Sequence, residues 1–370
     1  MKNEVKQPQI TEYLYRKACL KNIPLSGTFE LTPRCNLNCK MCYVRMTKQE
    51  IEDSGYKEKT LDEWLELAKQ CKEEGMLFLL ITGGEPFLLK DFRVLYEELC
   101  KMGFIIKINS NGTMIDKDTV EWLKQNPPAK INLTIYGASN ETYKRLCNNP
   151  NGFDQAKNAV KLLKEANIPL KVNMTLTEYN KNDIEEIYRF AKENDIEVHT
   201  TSYIFPPARK FEDKFGIGDR MTAKEAAYYE LYGEKLKLSE EGYLKKANII
   251  NRVVNEMEND YKKEGRLPIS CRAGRCSFWI NWKGEMTACG MMNHPKSYPF
   301  DLGFKNAWQE IVEKTNEIFL PEPCTTCKFK PMCHVCPAST YTETGEFSKK
   351  PEYICEMTKC EYEELMKTIK

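Results

Sequence analysis

The sequence predicts an α/β fold, a partial (β/α)6 TIM-type barrel over residues 27–206 followed by a small cysteine-rich α+β domain over 269–370. Three observations predict it. Short β-rich runs alternate with helical patterns through the first half of the chain, which implies parallel strands joined by right-handed crossovers. Six such units are too few for a closed eight-unit barrel, so an open partial barrel is expected; an open sheet with helices on both faces is the alternative. Nine of the sixteen cysteines fall after position 210, most at chelating spacings, so a small domain there would be held by metal centres rather than by a large core.

Residues 1–26 form a polar N-terminal extension without the apolar core of a secretory signal. The strand candidates follow in order: TFELT (28–32), LFLLIT (77–82), FIIKINS (104–110), INLTIY (131–136), LKVNMTL (170–176) and EVHTTSYIF (197–205). Helical stretches lie between them, at 61–75 and 92–103 among others. Leu61, Trp64, Leu65 and Ala68 repeat at helical spacing, as do Ile184, Ile187, Tyr188 and Ala191. Residues 207–268 are highly charged, with a long helical pattern from 223 to 261, and read as a helical linker. Beyond 269, the β-rich pieces SFWINW and EMTACGMM mix with cysteine clusters.

The bulk composition excludes several partners. With 55 basic and 54 acidic residues the net charge is +1, which gives a nucleic-acid backbone no electrostatic footing. The longest apolar run, Met76 to Ile81, is far too short to span a membrane. A cytoplasmic location is expected, where disulfides are rare and dense cysteines bind metal.

Cys35, Cys39 and Cys42 form C-x3-C-x2-C directly after the first strand candidate. A cubane [4Fe–4S] cluster takes four thiolates. Three, with no fourth nearby, leave one iron open to substrate, as an open position marks a catalytic zinc. Zinc is the rival metal, but it wants a fourth protein ligand or a water.

Here the chain resembles the radical S-adenosylmethionine superfamily, whose motif is this triplet after the first strand of a partial barrel. The resemblance implies that the open iron binds the amino and carboxylate groups of S-adenosylmethionine. An electron from the cluster then breaks the S–C5′ bond, and the 5′-deoxyadenosyl radical takes a substrate hydrogen. The residue before the third cysteine is usually aromatic; here it is Met41, whose backbone would still face the adenine.

Other segments fit the same site. Gly83-Gly84-Glu85-Pro86 ends the second strand candidate, where the family's GGEP turn contacts the methionine amino group. Ser110 and Asn111 end the third, near the ribose in the family. Thr134 matches a Ser or Thr turned toward the cofactor, and Arg145 a carboxylate-binding Arg; a solvated helix face is the other reading of Arg145. These positions lie near C-terminal strand ends, where barrel enzymes build active sites. His199 reads as a core or rim histidine.

The C-terminal cysteines resemble the SPASM extension of radical enzymes. Cys271 precedes Gly284 by twelve intervening residues and Gly284 precedes Cys289 by four, as in that pattern; Cys324, Cys327, Cys333 and Cys336 read C-x2-C-x5-C-x2-C, one residue short in the last gap. The resemblance implies two fully ligated auxiliary [4Fe–4S] clusters, three clusters in all. One would be held by Cys271, Cys276, Cys289 and Cys336, the other by Cys324, Cys327, Cys333 and Cys355, with Cys360 a possible substitute for Cys355. Closed clusters suit electron transfer. Read without the resemblance, the paired C-x2-C spacing fits a zinc ribbon equally well. Cys19, Cys71, Cys100 and Cys147 read as small buried hydrophobes.

Enzymes of this two-part design commonly modify peptides, so the expected function is a peptide maturase that makes a cross-link, an oxidation or an epimerisation. Its partners would be a peptide substrate and a reducing donor of flavodoxin or ferredoxin type. The 26 residues before Gly27 are too few for a leader-binding domain. Sulfatase-maturing members carry an Asp base after the cysteine matching Cys289, where this chain has Gly290. Radical dehydrogenation or epimerisation of a small molecule is the runner-up, and an iron–sulfur electron carrier the non-enzymatic alternative. The sequence assigns no catalytic base; Tyr203, Glu285 and Asp301 are polar residues in plausible regions.

Overall fold

The structure, a computed structural model, describes residues 9–208, 210, 214–216, 218–260 and 267–369. Its framework is one eight-stranded sheet. The strands are β1 (Ser26–Glu30), β2 (Phe78–Thr82), β3 (Ile105–Ser110), β4 (Lys130–Thr134), β5 (Leu170–Thr175), β6 (Val198–Thr201), β7 (Ser277–Ile280) and β8 (Met286–Thr287). The spatial order is β6-β5-β4-β3-β2-β1-β7-β8, so the first six strands lie side by side in chain order, all parallel. That is the topology of a barrel left open between β6 and β1. β7 pairs in parallel with the outer side of β1, and β8 returns antiparallel to β7. The sheet thus continues past residue 269: the first strands of the cysteine-rich region share the barrel's ladder.

Six strand candidates match β1–β6 within a few residues. The largest difference is at β6, which ends at Thr201, so 202–205 run on as irregular backbone. The 223–261 pattern divides into helices Ala223–Lys237 and Glu240–Asp260 at Leu238, whose backbone is extended; residue 261 lies outside the described residues. The N-terminal extension contains a helix, Ile10–Lys21, ended by Asn22 in the left-handed conformation.

Local chemistry starts the crossover helices where they are needed. Thr60 caps helix Leu61–Glu73 in a capping box with Glu63, satisfying backbone donors that would otherwise be orphaned. The helix then buries Trp64, Leu67, Ala68 and Cys71 against the sheet, with Trp64 4.9 Å from the Phe29 ring. Phe29, Leu31, Leu79, Ile81, Ile106 and Ile108 face this outer layer and are buried. Each fully buried side chain of this size contributes about 1.5–3 kcal/mol. At the far end, helix Glu352–Ile369 packs on Ala223–Lys237, tying the last residues of the chain to the linker.

Candidate active site

Strand side chains alternate between faces, and here the second face is polar. Glu30, Thr82, Asn109, Thr134, Thr175 and Thr201 project inward and line a chamber of about 390 Å³ at the strands' C-terminal ends. Parallel sheets covered on both faces read as apolar runs; this alternation instead marks one face as the wall of a polar chamber. Trp279 on β7 closes one side, its indole donating to Glu30 Oε2 at 3.1 Å.

Cys35, Cys39 and Cys42 sit on the rim of the chamber. Their loop is tied at several points. Leu37 is buried beneath it. The Asn38 and Lys40 amides donate to the carbonyls of Cys147 and Leu146, at 2.9 and 3.1 Å. Donors also point at sulfur: Leu37 N–H and Asn111 Nδ2 reach Cys35 Sγ at 3.4 and 3.6 Å, and Arg45 N–H reaches Cys42 Sγ at 3.2 Å. Such donors favour thiolate over thiol. Against them, burial foremost pushes the Cys35 thiol up to about 12, with Glu85, Cys39 and Cys42 adding to it. Cys42 is also raised, chiefly by burial. Cys39 is raised by its contact with Cys147 and then by burial. A bound cation would reverse that balance, since ligation takes the thiolate. Three sulfurs on one loop with amide donors fit the three-thiolate side of a cubane cluster. Among the described residues, no three or more His, Cys, Asp and Glu side chains converge tightly enough for a single metal ion.

The GGEP turn lies against this loop, backbone on backbone. Gly84 N–H donates to Thr32 O at 2.6 Å and Glu85 N–H to Arg34 O at 2.9 Å. A Cβ on Gly84 would stand 2.2 Å from the Arg34 oxygen, so only glycine allows the approach. The Glu85 carboxylate is fully buried and accepts from Ser110 Oγ (2.9 Å) and Asn111 N–H (2.8 Å). It bolts the end of β2 to the end of β3.

The candidate residues thus separate. Met41, Gly83, Gly84, Ser110, Asn111 and Thr134 line the chamber with the triplet. Glu85 and Pro86 are buried behind it. Arg145 is exposed on helix Asn140–Cys147, where its guanidinium donates to Tyr179 O. Tyr203 lines the chamber and donates to Glu343 Oε1 at 2.8 Å; Glu343 in turn pairs with Arg220 at 2.9 Å. Glu285 is held inside a turn by Asn281 and Lys296, and Asp301 is exposed on a short helix. His199 is exposed and its pKa is lowered, first by partial burial and then by Lys237 and Lys171. Sequence reasoning passed over Glu30, Thr82, Asn109, Thr175 and Trp279. A polar residue at every second position of a buried strand was the available signal.

The C-terminal cysteines form two neighbourhoods. Burial raises Cys324 to about 11, with further upward pressure from Cys355, Cys333 and Cys327. Thr358 Oγ1 donates to Cys333 Sγ at 3.4 Å. Cys360, five residues beyond Cys355 on the same helix, faces Lys224, Glu356 and Glu363 instead. Cys271 and Cys289 line a second cavity, at the foot of the barrel, and Cys276 is buried beside it. Cys336 caps helix Pro337–Thr344, its sulfur accepting Ser339 N–H at 3.4 Å, and lies near Tyr203. Of the four cysteines read as small buried hydrophobes, Cys71 and Cys147 are buried, whereas Cys19 and Cys100 are only half-buried against apolar neighbours; the Cys19 sulfur lies 2.9 Å from that of Cys276.

Residues 29–191 match the Radical SAM superfamily. The AdoMet-dependent heme synthase of Methanosarcina barkeri is 24% identical over 353 residues, 90% of this chain and 97% of that protein. The sporulation killing factor maturation protein SkfB of Bacillus subtilis is 30% identical over 165 residues, 45% of this chain and 39% of SkfB. Streptococcus suis SuiB bound to S-adenosylmethionine superposes with a TM-score of 0.64 at 18% identity, covering 96% of this chain and 83% of SuiB; SuiB bound to its precursor peptide SuiA gives 0.63 at 19%, covering 96% and 82%. The likeness to SuiB is one of fold, and it spans barrel and cysteine-rich region together. The triplet after β1, the turn seated against it and the match over 29–191 have one reading: residues 29–191 are a radical SAM domain, in an enzyme of peptide-maturase-like architecture that uses S-adenosylmethionine and a [4Fe–4S] cluster.

Proposed function

We propose that the protein installs a radical modification on a peptide: a cross-link, an oxidation or an epimerisation. The observation that carries this reading is the make-up of the chamber. Its walls come from β1–β6 and from Trp279 and Met291 of the cysteine-rich region, so a substrate in it lies between the radical site and the auxiliary region. The fold likeness to SuiB, solved with a precursor peptide, and the similarity to the maturation protein SkfB support a peptide over other substrates.

When bound, the cluster and S-adenosylmethionine supply a 5′-deoxyadenosyl radical that takes a hydrogen atom from the substrate. The chain's residues hold and orient. Cys35, Cys39 and Cys42 hold the cluster as thiolates. Gly83, Gly84, Ser110, Asn111 and Thr134 receive S-adenosylmethionine, with the Met41 backbone toward the adenine. Glu85 keeps these strand ends in register. Arg145, committed to Tyr179 O, serves the barrel wall. Cys324, Cys327, Cys333 and Cys355 hold one auxiliary [4Fe–4S] cluster, and Cys271, Cys276, Cys289 and Cys336 hold the other. The assignment divides the chain into an N-terminal segment (1–26), a radical barrel (27–206), a helical linker (207–268) and an auxiliary-cluster region (269–370). A flavodoxin or ferredoxin supplies the electron.

Sulfatase maturation fits poorly. A Cβ at Gly290 would stand 2.5 Å from the Trp279 ring, so there is no room for an acidic side chain after Cys289. One observation favours a second reading: the heme synthase is similar over nearly the whole of both chains, which supports a small-molecule substrate.

The test is anaerobic reconstitution followed by reduction with S-adenosylmethionine. About twelve irons are expected if three cubanes are present, together with 5′-deoxyadenosine. Short peptides encoded beside the gene, then tetrapyrroles, are assayed for substrate-dependent 5′-deoxyadenosine and a mass change. A change on a tetrapyrrole and on no peptide overturns the peptide reading.

A further inference from the structure

We propose that the foot of the barrel is the docking surface of the electron donor, where Lys107, Lys130, Lys171 and Arg272 receive an acidic redox protein. The inference rests on the reading above that a flavodoxin or ferredoxin supplies the electron; it adds where that protein binds and which residues hold it.

The inner face of the sheet changes character from top to bottom. Asn109, Thr134, Thr175 and Thr201 face the chamber. Side chains two and four positions earlier share their face. Those positions bring Lys107 on β3, Lys130 on β4, Lys171 on β5 and His199 on β6 to the lower end. Lys107 and Lys130 are direct register partners. Like charges placed opposite one another cost stability. Burial first, and then Lys130, Lys171 and Arg272, hold the Lys107 ammonium below its ordinary value, so these cations lie within electrostatic reach of one another. Among the described residues Lys107, Lys171 and Arg272 form no ion pair, and Lys130 has one, with the exposed Glu197 at 3.6 Å. Glu197 and Glu230 stand near His199, at the β6 side. Such an excess of one sign at an open face suits an anionic partner that completes it.

The surroundings point to a redox protein. Lys107 and Arg272 line the foot cavity, of about 880 Å³, together with Cys271 and Cys289. Cys271 is exposed, so a cluster held there reaches the surface beside the cations. Cys35, Cys39 and Cys42 are half-buried on the rim of the substrate chamber instead. Tyr15 and Ile105 line the foot cavity as well, and Ile105 is 39% exposed. Apolar side chains among charged ones are the make-up of a protein–protein contact. Near Cys333 and Cys355 the charges are Glu361, Glu352 and Lys350, a field that gives an acidic protein no purchase. On docking at the foot, one electron leaves the donor's reduced flavin or iron–sulfur centre and one oxidised cluster gains it.

The test uses the reconstituted full chain, a bacterial flavodoxin and, as a small reductant, dithionite. Binding of oxidised flavodoxin is measured by calorimetry at low salt. Lys107→Glu/Lys171→Glu is expected to weaken it at least about tenfold. Lys90→Glu/Lys245→Glu, the same charge change at two exposed lysines outside the foot, is expected to alter it less than about twofold. Flavodoxin-driven 5′-deoxyadenosine formation should fall with the first pair, while dithionite-driven formation is unchanged. Unchanged flavodoxin affinity in the first pair, or an equal loss in the second, overturns the docking surface. Equal loss of activity with both reductants also overturns it, because the lysines would then serve the site itself. No 5′-deoxyadenosine from the unmutated protein with dithionite would instead sink the radical reading, and the binding measurement reports on the surface independently. Folding is separated by urea unfolding: Lys107→Glu sets opposite charges at the register pair with Lys130, so it is expected to be no less stable than the unmutated protein.

Discussion

The mouth of the barrel and the C-terminal region both carry clustered cysteines, on different supports. At the barrel mouth the cysteines fall within eight residues, on a loop whose amides are bonded to Leu146 and Cys147 and whose base rests on the buried Leu37. The sheet holds this loop whether or not metal is present. Cys324, Cys327, Cys333 and Cys355 instead come from short turns and one long helix, with the four-residue helix Glu322–Thr325 the main regular structure between 320 and 336. Small regions of that kind draw folding free energy from their metal. With the clusters proposed above in place, the difference teaches where metal loss would act: on chemistry in the first region, on structure in the second.

The largest expected effect separates the two. Cys39→Ala should lower 5′-deoxyadenosine formation at least about a thousandfold, while urea unfolding of the barrel shifts by no more than about 1 kcal/mol. A barrel that unfolds with the mutation would mean the sheet does not support the loop unaided.

Chelating all iron is the converse test. Limited proteolysis should then cut within 321–351 at least about tenfold faster than in the holoenzyme, with 26–201 protected in both. Equal rates would place the second region's stability in its protein contacts, such as the buried Arg220–Glu343 pair and the packing of Glu352–Ile369 on Ala223–Lys237.

A narrower effect lies within one helix. Cys355 and Cys360 are five positions apart and point to different surroundings, Cys355 toward Cys324 and Cys333, Cys360 toward Lys224 and Glu363. Cys355→Ser should lose about four irons and Cys360→Ser none. The reverse result would require this helix to turn by more than a quarter revolution.

These contrasts explain what was legible in the sequence. The barrel was legible because period-2 strands and period-3.6 helices repeat six times, and the triplet because its ligands are contiguous. Trp279 and Glu30 were not, because they meet only when β7 pairs with β1 across 249 residues, a register no local pattern encodes. The contact of Cys19 with Cys276 was hidden for the same reason: 257 residues separate the two. Arg145 was placed by a resemblance of position, and its guanidinium is committed to Tyr179. Glu85 was legible as a motif residue, but not as the bolt between β2 and β3, which depends on where Ser110 and Asn111 arrive.

The smallest effect compares two buried glutamates. Burial pushes Glu85 up to about 7 against the pull of its donors, Asn111 N–H and Ser110 Oγ. Glu361, on the C-terminal helix, is pushed up to about 8, by burial first and then by Glu230 and Glu234, with Lys246 opposing. Its Oε1 has no hydrogen-bond partner among the described residues. For both, the folded protein holds a proton that the unfolded chain releases near the ordinary value of 4.5. Stability therefore falls as pH rises from about 4.5, until about 7 for Glu85 and about 8 for Glu361, and is level beyond. Glutamine cannot ionise, so Glu361→Gln should match the unmutated protein near pH 4.5 and exceed it above pH 8 by about 1–2 kcal/mol in urea unfolding. Glu85→Gln should gain nothing at high pH, because its amide cannot accept from both Asn111 N–H and Ser110 Oγ as the carboxylate does, and a buried donor left unpaired costs about 1–3 kcal/mol. Should both variants be stabilised at high pH, the hydrogen bonds at Glu85 would count for less than its desolvation, and the two buried carboxylates would be alike in spite of their different partners.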